Sequence, residues 1–177
     1  MGPDFGAYGR AGKELFSLLG DDVLVTEQQT PGPDPTAQAP NTWADVLDTP
    51  LSVDAAIAAV QHQRAGAVVT FIGTVRDHDG GRDGVTELSY SAHPDAVTPL
   101  RAIVERIAAN PGVCGVAAVH RKGALQVGDL AVVCAVSAEH RPEAFAGARE
   151  LIEELKATVP IWKNQEFDGS DREWVGL

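Results

Sequence analysis

The twelve residues from 30 to 41, TPGPDPTAQAPN, contain four prolines, and this run limits what the chain can fold into. Proline fixes φ and has no backbone N–H, so a run this dense excludes a helix or a central strand and stiffens a linker. Upstream, GKELFSLLGDDVLV offers one short helix with too few apolar residues to bury a core. We therefore predict a flexible, acidic and proline-rich extension over residues 1–41 and a folded domain over residues 42–177.

The charge balance of the chain argues against nucleic acid and membranes as partners. With 14 Lys+Arg against 25 Asp+Glu, the formal net charge is −11, so the chain lacks the basic field that binds nucleic acid or anionic lipid. No apolar stretch approaches the roughly 20 residues that cross a bilayer. We expect a cytoplasmic protein in which Cys114 and Cys134, each among apolar neighbours, are reduced and buried.

Apolar patterning downstream of the linker predicts alternating helices and strands. The β-branched run AVVTFIGTV is typical of a well-buried strand, whereas VTELSYSA alternates like a strand with one wet face. Short links between the elements favour a mixed or antiparallel α+β sheet over a doubly wound one. Helices are predicted over residues 53–63, 97–109 and 142–159, and strands over 67–75, 85–92, 113–120, 130–137 and the closing segments IWKNQEF and REWVG.

Basic and titratable residues stand where these elements begin or end. Arg76 follows the AVVTFIGTV strand, His140 and Arg141 open the last helix, and Lys156 and Lys163 flank the corner that ends it. Strand exits and helix starts present side chains to pockets, and a helix N-terminus favours an anion. We predict that these five side chains converge around one anion-binding cavity. The alternative interpretation is that they are separate solvated charges.

Other combinations of residues carry less chemistry. Asp77, His78 and Asp79 are adjacent in an extended or turning segment and cannot all face one ion, so a solvated loop is the better interpretation. The chain has no HExxH or Cys/His metal spacing, no GxSxG, no Walker loop and no Rossmann GxGxxG. We expect no metal site, and for the isolated His62, His93 and His120 a role in packing or hydrogen bonding rather than in catalysis.

Four blocks of the sequence, taken together, resemble the large, catalytic subunit of molybdopterin synthase, the MoaE family. They are GAVVTFIGTVRDHDGG, SAEHRPEAF, LKATVPIWKNQEF and the closing EWVG, and the resemblance runs from about residue 42 to residue 177. It implies an α+β fold, an α/β hammerhead with an additional antiparallel β-sheet.

The resemblance also implies a reaction, a sulfur transfer. In that family cyclic pyranopterin monophosphate receives two sulfurs as a dithiolene, each from the C-terminal thiocarboxylate of a small ubiquitin-like carrier subunit ending in Gly-Gly. The chain ends Trp174-Val175-Gly176-Leu177 and so resembles the acceptor side, a sulfurtransferase without a cofactor of its own. A homodimer within a heterotetramer, with a pocket that borrows residues across the dimer contact, is implied as well.

Carried over position by position, the resemblance places substrate contacts on three segments. The first gives Thr74, Val75 and Arg76, the second His140 and Arg141, and the third Lys156, Lys163, Asn164 and Gln165. Lys156 is expected to act in the chemical step and Lys163 to position the thiocarboxylate or the intermediate. The sequence departs from the family pattern at Thr74, often a lysine, and at Asn164 and Gln165, where Lys-Arg-Glu is the commoner form of the segment.

Two other functions remain open at this stage. A non-catalytic module could bind a ubiquitin-like tail or an anionic pterin without turnover, in which case Lys156 and Lys163 would be dispensable. A phosphate-ester hydrolase using His140 would rest on the His-Arg pair alone.

Overall fold

A four-stranded mixed sheet forms the centre of the molecule and buries apolar side chains on both faces. The structure, a computed structural model, describes residues 38–79, 82–167 and 172–175. The predicted extension therefore lies outside the described residues up to Ala37, and residues 38–177 form one unit. The elements are β1 (Asn41–Leu47), α1 (Val53–Ala59), β2 (Ala67–Thr74), β3 (His78–Asp79), β4 (Arg82–Asp83), β5 (Val85–Ala92), α2 (Val97–Ala108), β6 (Val113–Arg121), β7 (Gly123–Leu125), β8 (Leu130–Ala138), α3 (Arg141–Thr158), β9 (Ile161–Phe167) and β10 (Arg172–Val175).

Two larger sheets and one short hairpin organise these strands. The central sheet has the order β1-β6-β8-β2, the second sheet has the order β10-β9-β5-β7, and β3 pairs with β4. β1 runs parallel to β6, whereas β6, β8 and β2 pair antiparallel, as do all the strands of the second sheet. The predicted α+β class, a hammerhead-like fold with an additional antiparallel sheet, is confirmed.

Helices cover the two faces of the central sheet because residues 116–119 of β6 and 131–136 of β8 are continuous apolar runs. Val116 and Cys134 face α2 and α3, whereas their chain neighbours Ala117 and Val133 face α1. Successive side chains of a strand point to opposite faces, so strands buried on both sides have continuous apolar runs. The predicted strands over 113–120 and 130–137 are confirmed by this pattern.

Local signals set the limits of the helices. The Ser52 hydroxyl accepts a hydrogen bond from the Ala55 N–H at 3.1 Å and thereby caps α1. α3 begins after His140 with Pro142 in its first turn, where the missing N–H costs nothing, and ends before Pro160. None of the described helices is both long enough and apolar enough to cross a membrane.

Two predictions about the strands are wrong or incomplete. β1 was not predicted, because its short segment NTWADVL directly follows the prolines. β2 is not well buried: it is an edge strand of the central sheet, and Val68 and Ile72 are 45% and 42% exposed. Only its alternate residues, such as Val69, pack against the core under α3. The apolar run of β2 predicts that both faces of the strand are covered. Within the described chain, the face that carries Val68 and Ile72 is not covered.

Candidate active site

A cavity of about 290 Å³ lies where β2 leaves the central sheet and meets the second sheet and the end of α3. Its floor is formed by buried side chains, among them Val75, Leu88 and Gln165, and its rim by more exposed ones. Four segments far apart in sequence therefore contribute to one site. The lining residues are Phe71, Thr74, Val75, Arg76, His78, Leu88, Tyr90, Lys156, Lys163 and Gln165.

The pairing of β5 with β9 determines which side chains of the second sheet face the cavity. Tyr90 lies opposite Lys163, and Leu88 lies opposite Gln165. All four occupy alternate positions on their strands, so they share one face of the sheet. Asn164 lies between Lys163 and Gln165 and therefore points to the other face.

Main-chain hydrogen bonds hold the exit of β2 and so fix the start of the segment that carries Arg76. The Val75 N–H donates to the Asp129 carbonyl at 3.0 Å, and the Gly128 N–H donates to the Val75 carbonyl at 2.8 Å. Gly128 has φ +93°, which an L side chain rarely adopts. The turn before β8 therefore acts as a clamp on the strand that delivers Thr74, Val75 and Arg76.

Lys156 reaches the cavity from the last turn of α3. Leu155 and Val159, on either side of it, are 3% and 2% exposed and anchor the end of the helix in the core. The chain then turns at Pro160 into β9, which returns Lys163 to the same cavity. The corner between α3 and β9 thus brings two lysines to one place.

The lining of the cavity is cationic. Arg76, Lys156 and Lys163 line it together, and no acidic side chain of the described chain is among the lining residues. Concentrated positive charge on a partly enclosed surface attracts an anion even when the whole chain is acidic. Gln165 adds an acceptor to this surface: the residue is 2% exposed, and its Oε1 has no hydrogen-bond partner among the described residues.

Behind the cavity wall, a neutral histidine supports Tyr90. His120 is 6% exposed, its Nδ1–H donates to the Arg121 carbonyl at 2.8 Å, and its ring meets the Tyr90 ring edge to face at 4.8 Å. Burial, opposed by the Arg121 hydrogen bond and reinforced by the nearby Lys156 charge, lowers the pKa of His120 to about 4. His120 is therefore uncharged at neutral pH, and the predicted packing and hydrogen-bonding role is confirmed.

Neither cysteine has the environment of a nucleophile. Both thiols are free and buried, as predicted. Burial raises the pKa of Cys134 to about 12 and raises that of Cys114 as well. Because the thiolate is the reactive form, neither side chain is activated for attack.

The structure brings together six of the nine predicted substrate contacts and separates the other three. His140 and Arg141 begin α3, whereas Lys156 lies in its last turn. Fifteen residues of helix at about 1.5 Å each place Arg141 about 22 Å from Lys156 along the axis. The five predicted side chains therefore do not converge within one copy of the chain, and their convergence across a dimer contact stays a prediction. Asn164 is not among the lining residues of the cavity either. The contacts that do line it are Thr74, Val75, Arg76, Lys156, Lys163 and Gln165.

Sequence patterns did not reveal the aromatic walls or the histidine at the rim. Phe71 and Tyr90 line the cavity from two different sheets, and only the β5–β9 register could have placed Tyr90 beside Lys163. Asp77 and His78 are exposed to solvent, as predicted, but His78 and Asp79 form a strand of the β3–β4 hairpin instead of a loop, and His78 lines the cavity. In the described part of the chain, no three His, Cys, Asp or Glu side chains are grouped to hold a metal ion.

The sequence of this chain matches one class of proteins, the catalytic subunits of molybdopterin synthase. The profile of the MoaE protein family matches residues 46–158. A relative from Mycobacterium tuberculosis, "Molybdopterin synthase catalytic subunit 1", is 47% identical over 141 residues, which cover 79% of this chain and 95% of the relative.

Solved structures agree with this result. Molybdopterin synthase from Staphylococcus aureus superposes with a TM-score of 0.70 at 33% identity, over 76% of this chain and 97% of that one. A chain from the complex of subunits 1 and 2 of molybdopterin-converting factor from Helicobacter pylori shares the fold, with a TM-score of 0.57 at 21% identity over 78% and 90% of the two chains. The chain belongs to the MoaE family.

Proposed function

We propose that this chain is the catalytic subunit of a molybdopterin synthase, a cytoplasmic sulfurtransferase that converts cyclic pyranopterin monophosphate to the dithiolene of molybdopterin. The observation that carries the proposal is the cavity in which Arg76, Lys156 and Lys163 meet on the scaffold of this family. The sulfur comes from the C-terminal thiocarboxylate of a separate ubiquitin-like carrier ending in Gly-Gly. The chain supplies binding and acid–base groups and needs no cofactor of its own.

The cavity suits a flat heterocycle that carries a phosphate. Arg76 offers a planar fork for phosphate oxygens, and each charge-assisted hydrogen bond is worth about 1.5–3 kcal/mol. The unpartnered Oε1 of Gln165 is an acceptor for an N–H of the pterin. Tyr90 and Phe71 provide aromatic surface beside these polar groups.

Lys156 and Lys163 act where the sulfur is transferred. As the thiocarboxylate sulfur bonds to an electrophilic carbon of the pterin side chain, a carbon–oxygen bond at that carbon breaks and its electron pair passes to the oxygen. The Lys156 ammonium donates a proton to this oxygen. Lys163 attracts the anionic thiocarboxylate into position. Both side chains extend from the corner between α3 and β9, which the buried Leu155 and Val159 anchor in the core.

A second copy of the chain completes the site. His140 and Arg141 lie about 22 Å from Lys156 within one copy, so they reach a cavity only across a dimer contact. Exposed apolar side chains lie near both groups of residues that the dimer would bring together. Phe71 and Ile72 lie beside the cavity, and Phe145, 63% exposed, lies one helical turn after Arg141. The carrier then binds at the open side of each cavity, which gives a heterotetramer.

Reconstitution tests the reaction. Purified chain, thiocarboxylated carrier and cyclic pyranopterin monophosphate are mixed, and dithiolene product is measured by mass spectrometry, with a carrier ending in an ordinary carboxylate as the blank. We expect Lys156→Ala to lose at least about 100-fold in rate. Lys122→Ala, on the exposed link between β6 and β7, is the matched control and should keep normal activity. Near-normal product from Lys156→Ala would refute the role given to Lys156, whereas binding of carrier and pterin by the wild-type chain without product would indicate a non-catalytic binding module.

Mixed dimers test the shared site. Lys156→Ala and the double variant His140→Ala/Arg141→Ala are each inactive as homodimers. After exchange of subunits, half of the dimers are mixed, and one of the two sites in each mixed dimer has both wild-type halves. Activity should return to about a quarter of the wild-type value per site. No recovery in a mixture shown to contain mixed dimers contradicts the shared site.

A further inference from the structure

A hydrogen-bonded Asp–His pair lies at the rim of the cavity, and the reaction described above assigns it no role. The Nδ1–H of His78 donates to Oδ1 of Asp77 at 2.8 Å, and His78 lines the cavity with Arg76, Lys156 and Lys163. Both side chains are accessible to water, with exposed fractions of 55% for His78 and 77% for Asp77. The pair is therefore placed between the solvent and the cationic lining.

The backbone holds this pair in place. The Asp77 carbonyl accepts hydrogen bonds from the Gly84 N–H at 3.0 Å and the Val85 N–H at 2.9 Å, which fasten the start of the hairpin to the beginning of β5. The hydrogen bond from His78 holds the pKa of the Asp77 carboxyl below its ordinary value, so the carboxylate stays ionised. An ionised partner at Nδ1 keeps the proton on that nitrogen and leaves the lone pair on Nε2.

The chemistry of sulfur transfer requires a base at such a position. When the thiocarboxylate sulfur bonds to the pterin carbon, the carbonyl carbon of the carrier remains attached to that sulfur as a thioester. Water must then attack the carbonyl carbon: an O–C bond forms, the C–S bond breaks and its electron pair stays on sulfur. The carrier leaves as a carboxylate, and the proton lost by the water passes to a base and then to solvent. No oxidant or reductant is needed.

We propose that His78, oriented by Asp77, is the general base that activates this water and releases the carrier. The inference rests on the proposed function and assigns a catalytic residue to its second half-reaction. The charged groups that share the cavity with His78 are Arg76, Lys156 and Lys163. An arginine guanidinium does not act as a base, and Lys156 is assigned above to proton donation in the first half-reaction, so His78 is the imidazole among the described lining residues that can accept the proton of the water. The His78 side chain is 55% exposed, so water reaches it.

A single-turnover experiment separates the two half-reactions. Wild-type chain, His78→Gln and Asp77→Asn are each mixed with thiocarboxylated carrier and cyclic pyranopterin monophosphate, and intact-mass spectrometry follows the carrier–pterin adduct and the free carrier. In His78→Gln we expect the adduct to form at the wild-type rate and its hydrolysis to slow by about 100-fold or more. Asp77→Asn should slow hydrolysis less. His93→Gln, an exposed histidine before α2, is the matched control.

Two further readouts identify a base rather than a structural residue. Hydroxylamine, which attacks thioesters without needing a base, should release the carrier from the His78→Gln adduct as a hydroxamate at the wild-type rate. The rise in hydrolysis rate between acidic and neutral pH should disappear in His78→Gln.

Hydrolysis at the wild-type rate in His78→Gln overturns the inference, and so does equal slowing of adduct formation and hydrolysis. Failure of the proposed function gives a different result, since wild-type chain would then form neither adduct nor dithiolene.

Discussion

Acid should destabilise the fold through His120, and the size of the effect can be worked out from its burial. The folded protein holds the pKa of this imidazole at about 4, against 6.5 in water. As the pH falls below about 6.5, the His120 imidazole binds a proton in the unfolded chain but stays unprotonated in the folded chain. The contribution of His120 to the free energy of unfolding is therefore fully present above about pH 6.5 and is lost progressively as the pH falls to about 4. Below about pH 4 this group causes no further change.

The expected loss is about 3 kcal/mol, from about 1.36 kcal/mol for each of the roughly 2.5 pH units between the two values. Urea unfolding between pH 7.5 and 4, at one protein concentration, gives the free energy of unfolding of wild type and His120→Gln. Carboxylates titrate in both proteins, so the difference between the two curves isolates His120.

We expect the wild-type curve to fall more steeply, by close to 1.4 kcal/mol per pH unit at its steepest. Tyr90 rests on His120, so fluorescence or NMR of the tyrosine should follow the same transition. Parallel curves for the two proteins would refute the reasoning, because they would mean that His120 takes up its proton equally in both states.

Three smaller perturbations follow from contacts in the core and on the surface, each measured by urea unfolding. Gly115→Ala should cost about 1–3 kcal/mol, because its Cβ would lie 2.9 Å from the Val60 Cα; an unchanged midpoint would contradict this close approach. Ser137→Ala should cost about 1–3 kcal/mol, because the buried Ser137 hydroxyl donates to the Val60 carbonyl at 2.6 Å; a neutral effect would show that the carbonyl finds another donor. Arg106→Gln should cost less than about 1 kcal/mol, since Arg106 and its two glutamate partners on α3 are exposed, and a larger loss would contradict that assignment.

Helices were the most predictable part of the fold because their evidence is local. The apolar spacing around Leu100, Ile103 and Ile107 predicted α2, and the spacing around Leu151 and Leu155 predicted α3. β1 has no comparable local pattern, because its strand conformation depends on parallel pairing with β6, about 70 residues further along the chain. The exposure of β2 was hidden for a related reason: an apolar run has the same sequence whether the chain itself or a partner covers it.

The separation of Arg141 from Lys156 within one copy of the chain could have been predicted from the sequence alone. Once residues 142–159 are predicted as a helix, its rise per residue already separates Arg141 from Lys156 by about 22 Å. The presence of Tyr90 and His78 in the cavity could not be predicted in this way. Tyr90 reaches the cavity through the register between β5 and β9, and His78 reaches it through the β3–β4 hairpin, and local sequence patterns determine neither. Local patterns give the residues of each element, and only long-range pairing gives their neighbours.

The raised pKa values of Cys114 and Cys134 have a consequence for the behaviour of the protein under oxidative stress. Hydrogen peroxide and alkylating reagents attack the thiolate, and the burial of both side chains keeps them as thiols at neutral pH. In the proposed reaction, the sulfur that oxidants can reach is the one on the carrier. In a cell under oxidative stress, the carrier thiocarboxylate would then be oxidised, whereas this chain would keep both thiols reduced and could still accept sulfur from a newly loaded carrier.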